Sequence, residues 1–354
     1  MKILYLITGL GVGGAERVVV DLSDQMFKHG HQVKIAYLKG EATVHPQSNE
    51  IELICLGFEN LKCFNSAYQN YKKILEKFQP DVVHAHMVHA NIFARISRIF
   101  IGVPKLICTA HNSNEGGQLR MFAYKVTNHL SNLNTNVSDE ASKSLITKGA
   151  FNKNNLITIY NGIDLQKFNK KNQNLKLNNH VINFICVGRF NEQKDYPNLF
   201  RAIVLLKDKV QNFKFSIVGD GELRPDLEAL IESLNLSHYI ELLGKRNDIP
   251  NLLNAADFFV LPSKHEGLPT VVIEAMACHT FVVATDCGGS AEIMGNTGIL
   301  VQPQDSEKLA NALEKALGLS QDVIQENNQN ARNRIENLFS LETSVNKWLE
   351  IYES

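Results

Sequence analysis

Ile3-Leu4-Tyr5-Leu6-Ile7-Thr8-Gly9-Leu10-Gly11-Val12-Gly13-Gly14-Ala15-Glu16 contains an apolar run, four glycines and an acidic residue that introduces a helical pattern. Continuous apolar runs of this length, bounded by glycine, read as strands buried on both faces. The helix is expected over Glu16–His29, with the next strand over Gln32–Leu38. Strand, glycine turn, helix and strand make a βαβ unit, which requires a parallel sheet.

The alternation continues outward. Further strands are expected at Ile51–Leu56, Asp81–Ala85, Lys105–Ala110, Asn134–Val137 and Leu156–Tyr160, with a helix over Tyr68–Phe78. Residues 166–180 are polar with little to bury, as in a linker. A second series then starts, with strands at Val181–Val187, Phe213–Val218, Ile240–Leu243, Phe258–Leu261, Phe281–Thr285 and Gly298–Val301. The fold class is α/β, with two Rossmann-like, doubly wound parallel-sheet domains facing a central cleft. The expected limits are 1–165 and 181–335, with a C-terminal helix in 336–354 packing back toward the first domain.

A chain of 354 residues suits two such domains, and 44% hydrophobic against 21% charged residues excludes disorder and fibrous repeats. No apolar run reaches the ~18 residues that span a bilayer. The N-terminal run is too short for a signal peptide and is expected to be a buried strand. The protein is therefore expected to be cytoplasmic. Six cysteines show no C-x-x-C pair or zinc spacing, which argues against metal and redox chemistry. Residues 1–165 carry 17 Lys+Arg against 13 Asp+Glu, and the remainder 19 against 24. A mildly basic first half suits an anionic acceptor or membrane surface and falls short of a nucleic-acid-binding stripe.

Gly9, Gly11 and Gly14 match G-x-G-x-x-G between a strand and a helix. That pattern fits a dinucleotide, and equally any ligand that approaches the backbone at a helix N-terminus. In the second half, Arg189 and Lys194 stand just beyond a strand end, where a fork of donors and a point charge can neutralise a diphosphate. No Asp-x-Asp stands at a strand end to hold a divalent metal. Glu266 precedes the helix expected over Thr270–Ala277, for whose first turn Pro269 is well placed, and Glu274 lies within it. First-turn N–H groups there form an anion site, and Glu274, set among apolar residues, needs partners such as ribose hydroxyls. The bland alternatives are surface cations and a solvated glutamate.

The arrangement Pro262-Ser263-x-x-Glu266-Gly267-Leu268-Pro269-x-x-x-x-Glu274-Ala275-Met276-Ala277 closely resembles retaining nucleotide-sugar glycosyltransferases of family 4, with the GT-B fold. The turn Gly13–Glu16, Asp81–His86, Thr109–Asn112, Asn161–Asp164 and Val187-Gly188-Arg189 resemble further landmarks in order. The resemblance implies that Arg189 and Lys194 hold the donor diphosphate with the amides near Leu268–Thr270 and the turn Gly13-Gly14. It implies that Glu274 takes the ribose, that the segment at Arg246 takes the base, and that Glu266 and His111 face the sugar at the reacting centre. His86, Asn112 and Arg120 are candidate acceptor contacts.

The implied activity is transfer of a hexose or N-acetylhexosamine from a nucleotide-sugar, expected to be UDP-linked, to a lipid-linked, lipopolysaccharide- or capsule-type saccharide. Neither cofactor nor metal is expected. Peripheral contact with the inner membrane is a further expectation, through helices carrying Phe93, Arg95, Arg98 and Phe100 or Met121, Phe122 and Lys125. An NAD-dependent oxidoreductase using the glycine turn and a nucleotide-sugar epimerase on the same fold remain as alternatives.

Overall fold

The computed structural model describes residues 1–112, 117–170 and 181–354. It divides into two compact units, one of Met1–Gly162 with Leu341–Ser354, the other of Ile163–Ser340.

The first unit is built on a parallel seven-stranded sheet. Its strands are β1 (Lys2–Ile7), β2 (Gln32–Tyr37), β3 (Glu52–Cys55), β4 (Val82–His86), β5 (Lys105–Ala110), β6 (Leu133–Asn136) and β7 (Leu156–Thr158), in the order β3-β2-β1-β4-β5-β6-β7. The order reverses between β1 and β4, which places the switch point beside the glycine turn. Residues Ile3–Ile7 of β1 are fully buried, because a central strand with helices on both faces has no solvent side. The helices are α1 (Gly14–Lys28), α2 (Phe64–Phe78), α3 (Val88–Arg98), α4 (Gln118–Thr127) and α5 (Asp139–Thr147). Helix α2 starts four residues before the expected Tyr68, as the carboxamide of Asn60 caps a preceding 3-10 turn at Leu61–Cys63.

The second unit has a parallel six-stranded sheet of β8 (Ile182–Val187), β9 (Phe213–Val218), β10 (Ile240–Gly244), β11 (Phe258–Leu261), β12 (Phe281–Thr285) and β13 (Ile299–Val301), ordered β10-β9-β8-β11-β12-β13. Its helices are α6 (Tyr196–Lys207), α7 (Arg224–Ser233), α8 (Ile249–Ala255), α9 (Thr270–Ala277), α10 (Ser290–Met294), α11 (Ser306–Leu317) and α12 (Gln321–Leu338). Phenylalanines knit its core, with Phe184 stacked on Phe215 at 4.5 Å and on Phe258 at 5.2 Å.

The boundaries differ from the sequence expectation in a physically legible way. The second unit starts at Ile163, whose N–H donates to the Phe339 carbonyl at 2.9 Å. Phe168 is buried and its carbonyl accepts from Arg332, so 163–170 are anchored despite their polar composition. The rest of the expected linker, 171–180, lies outside the described residues. Position 336 falls inside α12, not at a boundary. The final helix, α13 (Leu341–Glu353), buries Val345, Trp348 and Tyr352 in the first unit's core with Ile3, Tyr5, Ile7, Val19 and Val33.

One expected membrane-facing helix is structural. Phe93 is 2% exposed and Arg95 wholly buried, its guanidinium donating to Thr127 and Asn134 and lying 5.1 Å from the Tyr124 ring. Met121 is also in the core, whereas Phe100 and Phe122 are exposed.

Candidate functional site

In the second unit, two loops meet beyond the carboxyl ends of β8 and β11, where that sheet reverses order. Lys264 N–H donates to the Gln193 carbonyl at 2.9 Å, tying the loops together. Lys194 closes a 3-10 turn capped by Asn191 and sends its ammonium to Glu266 Oε1 at 2.6 Å. The same oxygen accepts from Ser263 Oγ at 2.6 Å. Ser263 is fully buried, and its carbonyl accepts from Thr285 Oγ1 at 2.5 Å. Two glycines make this convergence possible. A Cβ on Gly188 would lie 2.8 Å from Lys194 Cε, and one on Gly288, at φ +55°, would lie 2.5 Å from the Glu266 carbonyl.

Pro269 precedes α9, and no side chain caps that helix. Val272 N–H turns back to the Pro269 carbonyl at 2.9 Å, and the other first-turn amides, those of Thr270 and Val271, form a main-chain anion site. Leu268 and Pro269 are buried and Thr270 is half-buried. Glu274 lies one turn into α9, half-buried between Ile273 and Ala275.

Two expected donor contacts point elsewhere. Arg189 is exposed and reaches Glu222 at 3.2 Å, a surface pair of the kind worth ~1 kcal/mol or less. Arg246 forks onto Asp248 through Nε at 2.8 Å and Nη2 at 2.7 Å, which holds the Asp248 carboxyl below its usual range.

In the first unit, Gly13 is the N-cap of α1 in extended conformation, and Glu16 folds back so that a Cβ on Gly13 would meet its carboxylate at 2.4 Å. Gly11 and Gly14 have open space about them. Three histidines line up along the ends of β4 and β5. His84 is fixed by Tyr352 Oη at 2.6 Å and Thr109 Oγ1 at 2.7 Å, and its ring lies 4.0 Å from that of His86. His86 Nδ1 is 3.1 Å from His111 Nε2. Burial lowers the His111 pKa to about 4 and holds His84 and His86 well below the usual range. All three are therefore neutral at pH 7.

His86, expected to touch an acceptor, is 1% exposed and turned to His111; burial beneath the strand end assigns it to support. Its Nε2 has no partner among the described residues. A buried N–H without an acceptor is costlier than a bare lone pair. His86 thus carries its proton on Nδ1 and donates to His111, which leaves the His111 proton on Nδ1. Asn112 and Arg120 are exposed; residues 113–116, between them, lie outside the described residues.

A sequence model described as "Glycosyltransferase Family 4" matches residues 12–167, and one described as "Glycosyl transferases group 1" matches 182–318. Over 325 residues, 85% of this chain and 82% of the relative, the chain is 31% identical to the UDP-Gal:alpha-D-GlcNAc-diphosphoundecaprenol alpha-1,3-galactosyltransferase of Escherichia coli. The chain belongs to glycosyltransferase family 4.

The glycosyltransferase is also 28% identical to an N-acetylgalactosamine-N,N'-diacetylbacillosaminyl-diphospho-undecaprenol 4-alpha-N-acetylgalactosaminyltransferase of Campylobacter jejuni, over 89% of this chain and 90% of that one. Among solved structures it resembles a glycosyltransferase of Rickettsia africae, at 22% identity, TM-score 0.88 and coverage of 99% and 97%. HepE of Anabaena, solved with UDP, matches at 21% identity, TM-score 0.84 and full coverage of both chains. These likenesses show the GT-B fold. The oxidoreductase alternative for Gly9, Gly11 and Gly14 gains no support from the relatives.

The residue that sequence reasoning passed over is Ser263. It was part of the quoted motif, and its three-residue spacing from Glu266 before a glycine is the signal that a hydroxyl can reach that carboxylate in a turn.

Proposed function

We propose that this glycosyltransferase moves a hexose or N-acetylhexosamine from a UDP-sugar to a lipid-linked saccharide, with retention of anomeric configuration. The observation that carries the reading is the convergence of Lys194, Glu266 and Ser263 beside the uncapped N-terminus of α9. A cation and the amides of Thr270 and Val271 suit a diphosphate; a carboxylate held by two donors suits sugar hydroxyls. The substrates named for the Escherichia coli and Campylobacter jejuni relatives, diphospho-undecaprenol-linked saccharides, support the acceptor class.

In the reaction the bond from anomeric carbon to diphosphate oxygen breaks, and a bond from the acceptor hydroxyl to that carbon forms on the same face. The hydroxyl proton passes to the departing diphosphate. Lys194 and the α9 amides offset the charge that grows on the leaving group, and Arg189 joins them by releasing Glu222. With Arg189, Lys194 and the amides turned to the diphosphate, the proposed mechanism uses no divalent metal. Glu274 binds the ribose, and the backbone around Arg246 the base. His111, being neutral, hydrogen-bonds a sugar hydroxyl and supplies no positive charge. Calorimetry with UDP in EDTA, followed by transfer from UDP-galactose and UDP-N-acetylhexosamines to an alkyl-diphosphate-linked N-acetylglucosamine, tests the reading. Absence of UDP binding refutes it.

The enzyme works at the cytoplasmic membrane face, docking through α4. The inner side of α4 buries Met121, Tyr124 and Thr127, while Leu119, Phe122 and Val126 are 85%, 63% and 47% exposed beside Arg120 and Lys125. No acidic residue occurs from Gly117 to Ser138. An outward face that is apolar and cationic suits an anionic bilayer. Among the described residues no helix is long and apolar enough to cross a membrane. Flotation with phosphatidylglycerol vesicles is expected for the wild type and lost in Leu119→Ser/Phe122→Ser; flotation equal in both refutes docking by α4.

A further inference from the structure

We infer that a cavity of about 270 Å³ at the carboxyl ends of β1 and β2 holds one sugar ring of the acceptor. This rests on the reading of the enzyme as a transferase to a saccharide, and it assigns residues that the motifs left out: Lys39 and His89.

The cavity is built by the backbone. Lys39 N–H donates to the Thr8 carbonyl at 3.2 Å, and Phe58 N–H to the Leu38 carbonyl at 2.7 Å. Gly40 N–H donates to Glu59 Oε1 at 3.4 Å, and Asn60 Oδ1 accepts from Lys62 N–H at 3.0 Å. The loop after β3 is thereby fastened over the ends of β1 and β2. His89, from the first turn of α3, closes another side.

The chemistry of the lining matches a carbohydrate. Hydroxyls both donate and accept, so a sugar site needs both kinds of partner. Lys39 donates, Glu59 accepts, and Asn60 does both. Thr8 contributes to a wall of the cavity, with its hydroxyl buried away from the lumen. Burial, with Arg120 and Lys39 nearby, lowers the His89 pKa, so its neutral ring donates from one nitrogen and accepts at the other. Phe58 and Leu61 offer apolar surface for the C–H face of a ring. The volume lies just below the ~300–1,000 Å³ of pockets for drug-sized molecules and has room for one ring.

Position supplies the link to the reaction. In the order β2-β1-β4-β5, the cavity sits at the same end of the sheet as His86, which ends β4, and His111, which follows β5. Ligands of open parallel sheets bind at that end. The cavity and His111 therefore share one end of the sheet.

The test is saturation-transfer NMR with the methyl α-glycosides of N-acetylglucosamine, N-acetylgalactosamine, galactose and glucose, with UDP in excess. At least one glycoside is expected to give a signal that falls about fivefold or more in Lys39→Ala and His89→Ala, the cost of a lost hydrogen bond. The signal should persist in Glu266→Ala, and UDP affinity should be unchanged in the two cavity variants. Lys39 and His89 are exposed, so neither substitution disturbs the core. No signal from any glycoside, or a signal lost in Glu266→Ala and kept in Lys39→Ala, overturns the assignment. A cavity-dependent signal from a protein that does not bind UDP instead refutes the transferase reading and leaves the cavity standing.

Discussion

The Lys194 ammonium and the Glu266 carboxylate are partners at 2.6 Å, with side chains only 16% and 15% exposed. A pair so placed has exchanged most of its water for each other and for Ser263. Removing one partner leaves the other in a poorly solvated place. Lys194→Ala and Glu266→Ala are each expected to destabilise the protein by about 2 kcal/mol, since both side chains retain some water. Lys194→Met/Glu266→Gln should recover stability without activity. Chemical unfolding and initial rates on the four proteins check this; additive losses would contradict it.

Ser263 acts on Glu266 without facing solvent. Ser263→Ala should reduce kcat about tenfold through a looser carboxylate while UDP affinity holds. Ser263→Thr should restore much of the rate if the pocket admits the methyl group. Equal loss in UDP binding would mean that the serine supports the whole loop instead.

Gly188→Ala puts a methyl group where the Lys194 stem lies, 2.8 Å from Cε. Lys194 must move, and UDP affinity is expected to fall about tenfold or more with little change in thermal stability. Calorimetry and thermal melts distinguish this from a folding defect.

The buried histidines make stability depend on pH. The His111 pKa is about 4, below the ordinary value near 6.5, because burial disfavours its charged form. The unfolded chain therefore takes up the proton first as pH falls. The stability contribution is full above about pH 6.5 and declines down to about pH 4, by roughly 3 kcal/mol for His111 alone. His84 and His86 act in the same direction. Urea unfolding at pH 7.5, 6 and 5 should show this slope, shallower in His111→Gln; a flat profile contradicts it.

Tyr352 binds the last helix to the strand ends through His84, at 2.6 Å. Tyr352→Phe should cost about 1–3 kcal/mol, the desolvation of a ring nitrogen left unpaired. Trp348→Ala, which empties a site against the His84 ring, should cost about 3–5 kcal/mol. Thermal melts check both, and a Trp348→Ala protein as stable as wild type would show that α13 is dispensable.

Much of this was legible in the sequence, because buried parallel strands are continuous apolar runs: Lys105–Ala110, Phe213–Val218, Phe258–Leu261 and Phe281–Thr285 lie where expected. Helix α12 was not anticipated; it buries only Asn328, Ala331 and Ile335, too few apolar positions to leave a periodic trace. The polar stretch after Asp164 concealed Phe168 as an anchor. In the candidate site, the loops that carry Lys194 and Glu266 could be placed from strand ends, since topology decides where such loops gather. Their mutual pairing could not, nor could the preference of Arg189 for Glu222 or of Arg246 for Asp248. Those depend on side-chain rotamers that spacing does not encode. The histidine pattern was visible, but which ring faces outward depends on depth at the strand end, and His86 lies too deep.

The first unit is completed by residues that follow the whole second unit in the chain. On the ribosome, β1 and α1 therefore emerge with the bed for Trp348 and Tyr352 uncovered, and more than three hundred further residues must be made before α13 can fill it. The second unit, continuous in sequence, can finish folding while the first still waits. The order of maturation thus runs against the order of synthesis. A nascent chain stalled before Leu341 carries an exposed apolar surface that chaperones or proteases can recognise, so incomplete copies are marked for removal by the part they lack.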